Sequence, residues 1–126
     1  MLYAEYGDAL VAALDAAPSL REQMVAWLEV SAENRGVVRA SQELMRKGTS
    51  HLRPAEELRS RCAALVADRL RADAKPNDEL RGASLMIVDI LAQYALMDAA
   101  GWVPPRDPKL VSSQLEWLVQ HGLYKR

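Results

Sequence analysis

The stretch DELRGASLMIVDILAQYALMDAAG, residues 78–101, decides the fold class of this sequence. Alanine, leucine and other apolar residues fill its central part, where the clearly polar side chains are Ser84, Asp89 and Gln93. Alanine and leucine favour helix, so the stretch predicts one long α-helix. Because apolar side chains surround that helix on nearly every side, we expect other helices to cover it on more than one face.

Capping signals on either side of this helix predict further helices and no strand. Ser19 and Glu22 form an S-x-x-E capping box at the start of the second helix. The step ENRG, 33–36, predicts the break before the third helix, because asparagine and glycine tolerate left-handed backbone geometry. Pro54 suits the first turn of the fourth helix, and Asp107 is placed to cap the sixth. The sequence therefore predicts an all-α fold of about six helices.

The composition is that of a single globular domain. The chain has 126 residues, of which 50% are hydrophobic and 26% are charged, which predicts one domain over 1–126. The formal net charge of -1 gives no electrostatic argument for direct binding to DNA or RNA.

The single cysteine and the N-terminal sequence indicate the cellular compartment of the protein. Cys62 is the sole cysteine, which excludes an internal disulfide and fits a reducing cytosol. The N-terminus lacks the basic and apolar regions of a signal peptide. No membrane span is expected, because Asp89 interrupts the longest apolar run before it reaches the roughly twenty residues that a bilayer requires. We therefore expect a cytoplasmic protein.

The apolar surface of the fifth helix predicts a homodimer. A monomer with so few helices would have difficulty covering it, and the sixth helix is also rich in apolar residues. Two such helices from each subunit can form a four-helix interface about a two-fold axis. The residues expected in this interface are Ile87, Leu91, Tyr94, Leu110, Val111, Leu115, Trp117 and Leu118.

Asp89 raises the question of why a carboxylate lies in the middle of an apolar helix. An ionised carboxylate there needs a hydrogen-bonded partner, because an unpaired one is strongly unfavourable. One hypothesis is a structural ion pair with an arginine such as Arg39 or Arg46, or a pairing across the dimer axis.

The second hypothesis for Asp89 is a ligand site. Asp89 and Gln93 lie on one side of the fifth helix and could be the polar anchors of an otherwise apolar cavity. Methionine suits such a pocket, although it equally fills irregular cores. The expected apolar walls of this effector site are Met24, Trp27, Met45, Cys62, Met86 and Met97.

Catalytic and metal-binding motifs are not found. The two histidines, His51 and His121, have no partner at metal-ligand spacing, and Cys62 falls on the buried face of the fourth helix. No Gly-rich phosphate loop, G-x-S-x-G turn or H-E-x-x-H motif occurs. We expect no enzyme activity, no metal and no cofactor; a small helical enzyme that uses Asp89 as a base is the alternative that these residues leave open.

The order of helices and breaks resembles the C-terminal regulatory domain of TetR-type transcriptional repressors. SLREQMVAWLEVSAENRGVVRASQEL is similar to the first regulatory helix of that family, its break and the short helix that follows. NDELRGASLMIVDILAQYALMDAAG followed by DPKLVSSQLEWLVQHGL is similar to its last two helices. The resemblance covers residues 19–123 and implies a dimer whose subunits each bind a small, largely apolar effector.

The same resemblance implies that a helix-turn-helix domain precedes this region, and this sequence does not contain one. Any contact with DNA is therefore expected through that domain and not through this chain. The domain either belongs to a longer protein or was lost from a natural relative. The alternative function is a stand-alone helical protein that forms homodimers through the same two helices and has no small-molecule ligand.

Overall fold

The computed structural model describes residues 2–47, 52–70, 78–102 and 107–123. Within these ranges the chain is all-helical and contains no strand, which confirms the predicted fold class. The helices are α1 (Leu2–Ala16), α2 (Leu20–Glu33), α3 (Arg35–Lys47), α4 (Leu52–Leu70), α5 (Asp78–Ala99) and α6 (Pro108–Leu123).

The long helix α5 contributes several residues to the core. It packs against α2, α3 and α4, while α6 packs mainly against α2 and α1 packs against α2 and α4. Val88 and Leu91 of α5 are fully buried among the apolar side chains of these neighbours. The chain's own helices therefore cover one side of α5, while Met86, Ile90 and Gln93 are exposed on the other.

The predicted capping residues begin and end the helices as expected. The Ser19 hydroxyl accepts a hydrogen bond from the Glu22 amide at 3.2 Å at the start of α2. The Asp107 carboxylate accepts one from the Lys109 amide at 3.0 Å at the start of α6. Asn34 ends α2 where the break was predicted, and its amide donates to the Ser31 carbonyl.

The backbone geometry of that break differs from the prediction. Asn34 has φ -126°, and Gly36 lies inside α3 without a positive φ. The left-handed residue among those described is Gly101, with φ 75°, at the end of α5. There the Trp102 amide donates to the Met97 carbonyl at 2.9 Å and the Gly101 amide donates to the Asp98 carbonyl at 3.1 Å. This paired arrangement is a Schellman motif, which requires a residue that tolerates positive φ.

The C-terminus of α1 depends on hydrogen bonds from other helices. The Leu14 carbonyl cannot bond to the residue four positions later, because Pro18 has no amide hydrogen. The amide side chain of Gln23, fully buried on α2, donates to the Leu14 carbonyl and to the Leu65 carbonyl, both at 3.1 Å.

Arg69 of α4 satisfies two further carbonyls at the same end of α1. Its Nε donates to the Ala17 carbonyl at 2.8 Å and its Nη2 donates to the Asp15 carbonyl at 2.9 Å. Although Arg69 lies in the last turn of α4, its guanidinium stabilises the negative end of the neighbouring helix α1.

Two polar contacts and one close approach hold three further pairs of helices together. The Tyr6 and Ser31 hydroxyls are 2.8 Å apart and join α1 to α2. Arg35 at the start of α3 bonds Asp98 at the end of α5 at 2.8 Å. A Cβ at Gly7 would lie 3.3 Å from a Leu58 methyl carbon, so a glycine allows α1 and α4 to approach closely.

The residues predicted for a dimer interface divide into a buried, a half-buried and an exposed group. Ile87, Leu91 and Val111 lie in the core of the chain itself and offer no surface to a second copy, so their assignment to an interface is wrong. Tyr94 and Leu115 are half-buried against the same core. The exposed residues of the predicted set are Leu110, Trp117 and Leu118 of α6.

One helix meets the length and composition expected of a membrane span. Residues 80–99 of α5 are long and apolar enough, so the expectation that no segment could be a candidate is wrong. A single such helix is weak support for a membrane protein, because the central helix of a helical core has the same length and composition.

Candidate functional site

A cavity of about 200 Å³ lies among α1, α2, α3, α4 and α5. An apolar cavity of about 150 Å³ in another protein is large enough to bind benzene, so this one has room for a small organic molecule. Its wall consists of Tyr3, Tyr6, Leu10, Trp27, Val38, Ser41, Ala55, Leu58, Arg59, Val88, Asp89, Ala92, Ala95 and Leu96.

Most of the cavity wall is apolar, and six of its fourteen residues are buried. Leu10 of α1 and Val88 of α5 are almost completely buried, and Val38 closes the side formed by α3. Alanine residues at 92 and 95 keep the α5 side of the wall short, so that space remains between this helix and its neighbours. The arrangement matches ligand sites that combine apolar walls with a few polar groups.

Asp89 and Arg59 form an ion pair at the exposed edge of the cavity. Both hydrogen bonds, from Arg59 Nε to Asp89 Oδ1 and from Arg59 Nη2 to Asp89 Oδ2, are 2.7 Å long. The Arg59 side chain is 44% exposed and the Asp89 side chain 51%, so the pair faces solvent as well as the cavity. The hydrogen bonds from Arg59 hold the pKa of the Asp89 carboxyl below its usual range, against a smaller opposing effect of burial.

The structural hypothesis for Asp89 is thus supported, with a different arginine from those named. The carboxylate pairs with Arg59 of α4 and not with Arg39 of α3, and Arg46 lies outside the described side chains. Asp89 also lies on the cavity wall, so the structural pair and the proposed ligand site share this residue.

Trp27, which lines the cavity, carries a buried hydrogen-bond donor. The side chain is 4% exposed, and its indole Nε1 has no hydrogen-bond partner within the described part of the chain. The other buried side-chain atoms without a partner there are Gln23 Oε1 and Ser112 Oγ, and neither residue lines this cavity. Buried polar groups normally have a partner, so these three atoms are exceptions among the described side chains.

The Tyr6 and Ser41 hydroxyl groups of the wall, in contrast to the Trp27 indole, have hydrogen-bond partners. The Tyr6 hydroxyl is bonded to Ser31, and the Ser41 hydroxyl donates to the Val38 carbonyl at 2.8 Å. Burial raises the pKa of Tyr6 and of Tyr3, so both phenols stay protonated at neutral pH.

The predicted effector-binding residues do not all meet in this cavity. Trp27 and Asp89 line it. Met24 and Cys62 lie in the solid core, and burial raises the pKa of the Cys62 thiol to about 12. Met45 lies outside the described side chains.

The rest of the predicted set lies on the outer face of α5. Met86 and Gln93 are exposed and Met97 is half-buried, and none of the three lines the cavity. Assigning these residues to a cavity was therefore wrong. Met86 and Gln93 face solvent instead.

Sequence reasoning missed several wall residues, above all Arg59. A signal for Arg59 existed, because it shares helical register with Ala55, Cys62 and Val66, which places it beside the buried face of α4. The α1 residues Tyr3 and Leu10 carried no comparable signal, because their place in the wall depends on how α1 packs against α4.

The large apolar side chains that the described residues expose are concentrated at the C-terminal half of the chain. They are Met86, Ile90, Trp102, Leu110, Trp117 and Leu118. On α6, Trp117 stacks on His121 with ring centroids 4.0 Å apart. Leu110, Trp117 and Leu118 share one face of α6 by helical register, and such a grouped apolar face is typical of a protein–protein interface.

The described residues contain no group of three or more His, Cys, Asp and Glu side chains placed to hold a metal ion. Comparisons with family models, curated proteins and solved structures find no match to this chain.

Proposed function

We propose that this chain is the effector-binding and dimerisation domain of a TetR-like transcriptional repressor and senses a small, mostly apolar molecule. The observation that carries the proposal is the cavity of about 200 Å³ among α1 to α5. Close packing is the norm in protein interiors, so a space of this size in a small domain suits a ligand site.

The size and lining of the cavity favour a small effector. Apolar side chains such as Leu10, Val88 and Leu96 provide the contact surface, and polar groups are few. Burying apolar ligand surface against such walls supplies the main driving force for binding.

The exposed apolar residues of α5 and α6 support the dimerisation half of the proposal. With Ile87, Leu91 and Val111 buried, the interface uses the outward residues Met86 and Ile90 of α5 together with those of α6, which are Leu110, Trp117 and Leu118. A second copy of this chain is the occupant we propose, because a two-fold axis brings the same apolar face to both sides of the contact.

Coupling between effector and DNA would pass through α1. Tyr3 and Tyr6 belong to the cavity wall, and the resemblance places the DNA-binding domain immediately before this helix. An effector that favours one position of α1 would shift the population of arrangements of that domain, and operator affinity would change by the same coupling free energy.

The alternative function, a stand-alone homodimeric interaction protein, has one observation in its favour. Arg59 satisfies both oxygens of Asp89, so this carboxylate does not require a ligand. The two functions share the dimer and differ in small-molecule binding.

The experiment measures two properties of the purified chain. Light scattering on a sizing column gives its mass, and calorimetry gives its affinity for α-methylstyrene, a small apolar probe. We expect the mass of a dimer and saturable binding of the probe. A dimer that binds neither this probe nor other compounds of its size would favour the interaction protein, and a monomer without binding would contradict both functions.

A matched pair of variants locates the binding site. Ala92→Phe fills the cavity from the half-buried α5 wall and is expected to abolish probe binding. Ala64→Phe places the same side chain on the exposed side of α4, outside the cavity wall, and should leave the affinity unchanged.

A further inference from the structure

We infer that the ion pair of Arg59 and Asp89 makes the cavity selective for uncharged molecules, and that Asp89 sets this selectivity by compensating the charge of Arg59. The inference rests on the proposed function, because it names the charge class of the effector that the same cavity takes.

The charge of the cavity wall is confined to one place. Among the fourteen wall residues that the structure describes, Arg59 and Asp89 are the charged ones, and they are bonded to each other. The other wall residues are apolar or carry a neutral hydroxyl or indole group. Burial raises the pKa of Tyr3 and of Tyr6, which keeps the two phenols neutral as well. Any preference of the wall for a charged ligand therefore depends on one pair of side chains.

The geometry of this pair cancels most of its electrostatic effect inside the cavity. Arg59 Nε and Nη2 each lie 2.7 Å from an Asp89 oxygen, so the two opposite charges are at similar distances from a ligand in the interior. Their Coulomb energies with a charge on that ligand have opposite signs and similar size. The effect acts through space, so it does not require that either charged group contact the ligand.

A charged ligand would therefore lose its hydration in the cavity without compensation. Leu10, Val38 and Val88, which line the interior, are almost completely buried and offer apolar surface. Transfer of a carboxylate or an amidinium into such surroundings is strongly unfavourable unless an opposite charge compensates it. An uncharged molecule of the same shape makes the same apolar contacts without that cost.

Substitution of one member of the pair should expose the charge of the other. Asp89→Asn leaves the Arg59 cation uncompensated, so an anion should bind better than before. Arg59→Gln leaves the Asp89 carboxylate uncompensated, so a cation should bind better. Water screens both charges, because each side chain is about half exposed, and Glu56 also acts on Arg59, though more weakly than Asp89. We therefore expect changes of about fivefold, the upper end of the range for exposed ion pairs.

The experiment uses three probes of one shape, each a phenyl ring that carries a trigonal carbon with two further heavy atoms. α-Methylstyrene is uncharged, benzoate is an anion and benzamidinium is a cation. Calorimetry at neutral pH gives their affinities for the unsubstituted protein, for Asp89→Asn and for Arg59→Gln, and circular dichroism checks that each variant is folded. The quantity that decides is the affinity of each charged probe relative to α-methylstyrene, because differences in the hydration of the probes cancel when proteins are compared.

The expected result is a change of charge preference that depends on which residue is replaced. The unsubstituted protein should bind α-methylstyrene in preference to both charged probes. Asp89→Asn should raise the relative affinity for benzoate about fivefold and not that for benzamidinium, whereas Arg59→Gln should do the reverse.

A second ion pair supplies the matched controls. Asp8 and Arg61 lie 3.9 Å apart, are largely exposed and do not belong to the cavity wall. Asp8→Asn and Arg61→Gln make the same changes in net charge as the two test variants. Both should leave the relative affinities unchanged, because these charges are screened by water and distant from the ligand.

The outcomes separate the inference from the proposed function. If α-methylstyrene binds but Asp89→Asn leaves the relative affinity for benzoate unchanged, the inference fails while the effector site stands. If α-methylstyrene does not bind the unsubstituted protein, both fail. Should Asp89→Asn not fold, Arg59→Gln decides, and an unchanged relative affinity for benzamidinium overturns the inference. A charged probe that binds the unsubstituted protein as tightly as α-methylstyrene overturns it without any variant.

Discussion

At the scale of single residues, Asp89 shows how a charge can lie on an otherwise apolar helix. The bidentate contact with one guanidinium satisfies both of its oxygens, and the pair keeps about half of each side chain in solvent. Hydration of the exposed half lowers the desolvation cost that makes fully buried ion pairs unfavourable. The pair therefore joins α4 to α5 at a modest net gain in stability.

Replacing Asp89 by Asn should lower the free energy of unfolding by about 0.5–1 kcal/mol at neutral pH, the range for a well-formed but exposed ion pair. Because Arg59 lowers the pKa of Asp89 in the folded state, this contribution is fully present above the unfolded pKa near 3.8. It is lost as the pH falls through the lower folded pKa. Urea denaturation at several pH values would show the difference between the two proteins shrinking in acid.

Asp8→Asn is the control for this prediction. Asp8 contacts Arg61 at 3.9 Å and both side chains are largely exposed, so its loss should change stability very little at any pH. Equal effects of the two substitutions would contradict the idea that the geometry of the Asp89 pair matters.

The sequence predicted the burial of some of these residues but not the contacts of others. Hydrophobic periodicity placed Cys62 on a buried face, and a carboxylate in an apolar helix indicated that Asp89 needs a partner. It could not identify Arg59 as that partner, because the choice depends on the angle and height at which α4 crosses α5. The unpaired Trp27 N–H was likewise beyond prediction, since no local pattern records a missing contact.

At the scale of helices, α1 is the element whose end depends most on its neighbours. Pro18 removes the backbone donor that would serve the Leu14 carbonyl, and Gln23 and Arg69 supply donors from α2 and α4. Those two side chains therefore tie the last turn of α1 to the rest of the fold.

Arg69→Met should destabilise the protein by about 1–2 kcal/mol, because it keeps most of the apolar stem but leaves the Asp15 and Ala17 carbonyls without this partner. Arg69→Lys should recover part of the loss, since one ammonium group cannot reproduce the fork of two donors. Thermal unfolding by circular dichroism measures both. Arg61→Met, at an exposed position on the same helix, is the control and should have little effect.

The two faces of α5 show which property of a helix could not be predicted from the sequence. The helix itself, its length and its end near Gly101 follow from composition and turn residues. The sequence does not show which apolar face of the helix is buried. Ile87 and Leu91 on one side are as apolar as Met86 and Ile90 on the other. Asp89 and Gln93 did mark the outward side, by the ordinary preference of polar groups for water.

At the scale of the whole molecule, several large apolar side chains among the described residues of α5 and α6 are exposed. A monomer in water would leave large side chains of α5 and α6 hydrated, and association would remove that surface from solvent. The dimer we propose accounts for this without involving the core.

Leu118→Glu should convert the dimer to a monomer and leave the helical content unchanged. The side chain is 58% exposed within one chain, so a charge there does not disturb the chain's own core, whereas in an interface it would be desolvated without a partner. Light scattering reports the mass and circular dichroism the fold. Ala64→Glu, on the exposed side of α4, should remain a dimer. A Leu118→Glu protein with unchanged mass would place the contact elsewhere.

The unequal burial of the tryptophans has a spectroscopic consequence. The sequence contains three tryptophans, of which Trp102 and Trp117 are exposed and Trp27 is enclosed at the cavity. Emission from an enclosed indole lies at shorter wavelength than emission from one in water, so the fluorescence of Trp27 can be separated from that of the other two. With Trp102 and Trp117 replaced by phenylalanine, the remaining emission would come from the cavity wall alone. The protein would then carry its own optical signal for occupancy, without any attached dye.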